Sequence, residues 1–279
     1  MERDVGAGGR IVILVSLVMT GVALSSMARL PSRQVEFEAL GSPLALGLSG
    51  GWVLTLALVA LTATGMEQIV RAQSGGRAMD VRFGSTFWIL PCLVTLAAAA
   101  AVPRLVGEVG DWLGSLLLIG LLLAGVLAAE FGTVDVTGPY YRTARLGLNI
   151  ATYAAALALY ATIYGLEVRS LLSATAMLLV TFPLALELLR STEEQLESTW
   201  LYAAVIALVV AQLTWGLNRW GLGSLAGGGL LLIAFYTMTG ATQQHLAGRL
   251  NRRVVMEFTF IAVIGVGIIW LSSPWLLGR

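Results

Sequence analysis

From residue 11 to residue 272 the chain repeats one device: an apolar run close to the ~20 residues that cross a bilayer as a helix, then a short break. No other feature restricts the fold so strongly. Apolar residues make up 57% of the 279 residues and charged residues only 12%, too few charges to cover a water-soluble body of this size. In lipid every backbone N–H and C=O must be bonded within the chain, which leaves helices or closed barrels. No run shows the sustained two-residue alternation of a barrel strand. The expectation is an all-α, polytopic transmembrane helix bundle forming one membrane domain over residues 1–279, with no soluble domain.

About nine spans are predicted, at 11–28, 50–66, 85–103, 112–130, 146–165, 170–189, 199–218, 224–243 and 254–272. Ser26-Met27-Ala28 resembles a small-x-small cleavage site, and cleavage there would leave eight. The segment ahead of the first span carries Glu2 and Asp4 against Arg3 and Arg10, which favours an uncleaved helix. With the amino end in the cytoplasm of a cell membrane, 11 arginines fall inside and 6 outside. That agrees with the positive-inside rule. Trp52, Trp112, Trp215, Trp220, Trp270 and Trp275 fall near outer span ends, and Trp88 and Trp200 near inner ends, as in an interfacial aromatic belt. Between the first two spans, Val35 to Leu40 suits a short surface helix or a strand-like turn.

The even-numbered spans end alike, at Glu67, Glu130, Glu187 and the pair Gln243-Gln244. Glu130 and Glu187 lie 57 residues apart, as do Glu187 and Gln244, while Glu67 and Glu130 are 63 apart. This is a weak sign of repeated helical hairpins, and regular spacing also follows from bilayer thickness alone.

Composition excludes several chemistries. All 17 basic residues are arginine, so no lysine can form a Schiff base. One cysteine, Cys92, and one histidine, His245, cannot make a Cys/His zinc site, an iron–sulfur centre, a bis-histidine haem or an intrachain disulfide. A net charge of +1 gives no broad surface for nucleic acid. No His-Glu-x-x-His, no Gly-x-Ser-x-Gly with a following histidine and no clustered aspartates occur. No catalytic residue, metal ligand or cofactor is therefore predicted.

The polar groups at membrane depth are the candidates for solute or proton contact. Glu67, Glu130, Glu187, Gln244 and His245 would form a cytoplasmic ring if their helices were neighbours. Glu187 also has Arg190 three residues on, an ordinary helical pair, and Glu257 has Arg253 four residues before it. Gln212, inside the seventh span, needs a hydrogen-bond partner and is expected to join helices. Arg142 and Arg145 suit phosphate headgroups or plain positive-inside anchoring. Pro91 and Pro183 should bend spans three and six. Gly223 and Gly227, with Ala97–Ala101 and Ala154–Ala156, provide small faces for close helix approach, placing spans five and eight near the centre. Ser191 and Glu194 read as a capping box opening span seven, in an acidic turn suited to docking a partner.

Two functions fit. One is a non-catalytic accessory, assembly or scaffold membrane protein, working against lipids, other membrane subunits or copies of itself. The other is a carrier or channel for a small or lipophilic solute. Short loops and small-residue faces favour the first.

Overall fold

The computed structural model describes residues 2–27, 32–39, 42–73, 87–105, 109–133, 140–166, 170–190 and 196–272. Among the described residues nine helices and one hairpin lie in chain order: α1 (Glu2–Met27), β1 (Ser32–Ala39), β2 (Ser42–Ser49), α2 (Gly50–Gln73), α3 (Ile89–Leu105), α4 (Val109–Gly132), α5 (Tyr141–Tyr164), α6 (Ser170–Leu189), α7 (Leu196–Leu217), α8 (Ser224–Leu246) and α9 (Arg252–Ser272). They fall at the predicted spans. Seven are long and apolar enough to cross a membrane. The apolar part of α3, Ile89–Val102, is shorter. The chain divides into two compact units, Met1–Ala144 and Arg145–Arg279.

In the first unit α1 packs on α2, α3 and α4, and α3 touches both α2 and α4. Each outer helix buries a single stripe. On α1 this is Leu14, Val18 and Val22, spaced four apart as one helical face requires. Its other side exposes Val12, Ile13, Leu17 and Leu24. On α4 the exposed side carries Leu117, Leu118 and Leu121, each near 70% exposed; a surface so apolar suits lipid. By contrast α3 is buried along most of its length, where small residues such as Ala97, Ala98 and Ala99 leave room for neighbours on every side. Close approach of α1 and α2 is reciprocal. The Leu58 side chain sits where a Cβ on Gly21 would be, and Leu14 sits where a Cβ on Gly65 would be. Cross-helix bonds include Thr62 to Thr95 at 3.1 Å, the Cys92 thiol to the Val59 carbonyl at 3.4 Å, and the Trp112 indole to Ser26 Oγ at 2.9 Å.

Of the two conformations open to Val35–Leu40, the strand is the one formed. β1 and β2 are antiparallel, with Val35 opposite Leu46 and Phe37 opposite Leu44. Apolar and polar residues alternate along β1 at the period of a strand, and this overrides the helical option.

Pro91 departs from expectation. The third helix starts at Ile89, so Pro91 lies in its first turn, where no intrahelical N–H bond is lost and no kink is required. Pro183 does lie inside α6, which continues past it to Leu189.

In the second unit α6 packs against α7 and α8, α8 against α7, and α9 against α8. Close approach of α5 and α8 follows from glycine. A Cβ on Gly228 would lie 2.6 Å from the Ala161 nitrogen and 2.7 Å from its Cα, and one on Gly227 would overlap the Tyr164 ring. Behind this contact Phe235 of α8 is fully buried, edge-on to Tyr153 and Tyr160. The turn after α8 closes at Gly248, whose φ of 65° is the left-handed conformation that ends helices, with Arg249 N–H bonded to the Gln244 carbonyl at 2.9 Å. The capping-box residues at 191–195, and Arg29, Arg77, Arg82, Arg169 and Arg279, lie outside the described residues.

Candidate functional site

The densest polar constellation lies in the second unit, where the start of α5 meets the ends of α6 and α8. A helix ends with four carbonyls that have no partner inside the helix. At the end of α6 two of these are supplied by neighbours. Arg145 of α5 donates from Nη2 to the Glu187 carbonyl at 2.8 Å. Gln243 of α8 donates from Nε2 to the Leu188 carbonyl at 2.8 Å. A guanidinium here also meets the negative end of the α6 dipole.

The side chain of Glu187 is 1% exposed. Its Oε1 takes Arg190 Nη2 at 2.8 Å and Arg145 Nη1 at 3.3 Å, and both arginines are themselves largely buried. Among the described residues no donor reaches Oε2. A carboxylate this deep is tolerable only when opposite charge and hydrogen bonds replace its water. The arginine three residues along was legible in the sequence. Arg145, 42 residues away, was not.

The opposite end of the same bundle has a matching arrangement. Tyr164 of α5 donates its hydroxyl to the carbonyl of Leu217, the last residue of α7, at 2.8 Å. Asn218 donates to Ser173 Oγ of α6 at 2.7 Å. Between the ends, Thr181 bonds to the Tyr160 hydroxyl at 2.9 Å, and Tyr153 to Thr239 at 3.3 Å. Most other threonine hydroxyls, including Thr152, Thr214 and Thr237, bond back to their own helices.

The sequence candidates fall in both units, Glu67 and Glu130 in the first and Glu187, Gln244 and His245 in the second. Glu67 is half-exposed and paired with Arg71 on its own helix. Glu130 is fully buried in the first unit. In the second unit the charged partners of Glu187 are Arg145 and Arg190, and the amide that reaches α6 belongs to Gln243 rather than Gln244. Gln244 is partly buried, and its carbonyl closes the α8 turn. His245 is exposed, edge-on to Tyr202 at 6.0 Å. Arg145 braces the bundle instead of facing headgroups, while Arg142 is exposed. Arg253 and Glu257 are both exposed and make no ion pair with each other.

Gln212 joins no helices among the described residues. It is exposed on α7, opposite the stripe of Ala203, Ile206, Val210 and Thr214 that faces the bundle, and among the described residues nothing bonds to it. Five exposed tryptophans, Trp52, Trp88, Trp200, Trp215 and Trp220, lie near helix ends, as an interfacial belt would place them.

Among the described residues no group of three or more His, Cys, Asp or Glu side chains is placed to hold a metal ion. No curated protein and no solved structure matches the chain. One family model does match, over residues 30–272, and by that match the chain belongs to the DUF5656 family of proteins of unknown function.

Proposed function

We propose that this is a multi-pass integral protein of the cell membrane, amino end in the cytoplasm, whose two helical units make one membrane domain. Its role is that of a non-catalytic accessory, assembly or scaffold protein, acting by packing against lipid and other membrane proteins. One observation carries this reading. Buried polar groups near the helix ends of the second unit brace helices: Glu187 is held by Arg145 and Arg190, the α6 end by Gln243 and the α7 end by Tyr164. The outward faces meanwhile stay apolar. Orientation is supported by the arginine asymmetry.

A solute carrier is the second reading, favoured by the Glu187 oxygen that lacks a donor and by Pro183 one turn earlier in the same helix. Extraction into lipid nanodiscs, mass spectrometry of bound species and flux assays on reconstituted protein separate the two. The accessory reading expects a bound membrane protein or a self-assembly, and no flux. A retained small solute, with flux abolished by Glu187→Gln, overturns it.

A further inference from the structure

Along the exposed side of α7 the residues Leu201, Val205, Leu208, Gln212 and Trp215 follow one another at spacings of four, three, four and three. That is the 3.5-residue period of a coiled-coil seam. All five are exposed: Leu201 by 65%, Val205 by 47%, Leu208 by 49% and Trp215 by 54%, with Gln212 between them. In heptad terms Leu201, Leu208 and Trp215 occupy d, and Val205 and Gln212 occupy a. The helix has a separate buried stripe on its far side for α6 and α8, so this seam is surplus to the fold of the second unit.

Two properties of the seam specify its occupant. A β-branched residue at a with leucine at d favours two-stranded pairing, and a single polar residue at a sets register and oligomer state. Glutamine carries both a donor and an acceptor, so it satisfies an identical copy of itself across a two-fold axis. Copies in one membrane share orientation, so two α7 helices meet in parallel, as this seam requires. Gln212 lies five residues inside the helix end, about 8 Å at the usual rise, and within the apolar span Ser198–Leu217. An amide there gains from a partner across a helix interface.

We infer that α7 is the self-association surface: two copies of this chain pair along Leu201–Val205–Leu208–Gln212–Trp215, with the Gln212 amides bonded to each other across the axis. This deepens the accessory reading and rests on it only in taking the protein to be membrane-embedded.

The test is disulfide trapping of the full chain in native membranes, in a Cys92→Ala background. Leu208→Cys is expected to give covalent dimer on oxidation. Leu213→Cys, exposed but off the seam, is expected to stay monomeric. Adding Gln212→Leu to Leu208→Cys should weaken pairing roughly ten-fold, while Gln212→Asn retains most of it. Equal trapping at both positions, no trapping at Leu208→Cys, or indifference to Gln212→Leu overturns the dimer. Because Gln212 is on the surface, Gln212→Leu leaves folding intact, checked by its elution as a single species. A monomer that retains a different membrane protein sinks the dimer and leaves the accessory reading standing. A trapped dimer that conducts solute does the reverse.

Discussion

Glu187 shows how much a single side chain can hold. Its carboxylate joins α5 to α6, and the guanidinium that neutralises it also caps the α6 backbone. Removing one member of a buried charge pair costs about 3–5 kcal/mol, because the remaining charge loses its compensation without regaining water. Glu187→Gln, which removes the negative charge two arginines share, is expected to destabilise the protein by an amount in that range. Arg145→Met should cost less, since Arg190 still holds Oε1. Thermal unfolding followed in mild detergent gives the order, and equal melting of both variants and the parent would refute the brace. The sequence marked Glu187 for its depth and Arg190 for its spacing. Arg145 was invisible as a partner because a contact across 42 residues leaves no local pattern. Gln243 was passed over for Gln244 because neighbours on a helix differ by ~100° in direction, and only packing selects between them.

Close helix approach separates glycines that matter from those that do not. At Gly228 the obstacle to a side chain is the Ala161 backbone, which cannot rotate away. Gly228→Ala is therefore expected to overpack the α5–α8 contact, at a cost of about 1–3 kcal/mol. Gly125, within α4, has nothing within 4 Å of the position its Cβ would take. Gly125→Ala should be neutral or slightly stabilising, since alanine is the better helix former by ~1 kcal/mol. Paired melting curves of the two variants test this, and equal losses would refute the contact. The run Gly223-x-x-x-Gly227 pointed to this face from spacing alone, yet which helix it received was decided by Ala161 and Tyr164. Pro91 gives the reverse lesson. Its effect depended on where α3 begins, a boundary set by packing and not by hydropathy.

The alternation of helix direction in the second unit is visible in its bonds. Arg145 at the start of α5 meets the end of α6, as does Gln243 near the end of α8, and Tyr164 at the close of α5 meets the end of α7. Under the proposed orientation, with the amino end cytoplasmic, the α8–α9 turn at Gly248 would lie inside and the α7–α8 turn at Trp220 outside. Reporter fusions at these two turns are expected to be active on opposite sides of the membrane. Activity on the same side would refute the nine-helix threading.

Length and hydropathy were enough to locate the helices among the described residues, because a bilayer imposes one requirement on each span independently: about twenty residues with the backbone bonded internally. Exclusion of a lysine Schiff base, a Cys/His zinc site and an intrachain disulfide rests on composition alone, being a matter of which atoms exist. Partnership was not, since it depends on how faces rotate toward one another. Rotation buried Glu187 against an arginine from another helix, and it turned Gln212 outward onto a seam that the described residues of the second unit do not fill. A one-dimensional pattern records the depth of a polar group along its helix. The direction in which that group points, and therefore what it can bind, emerges when the helices pack.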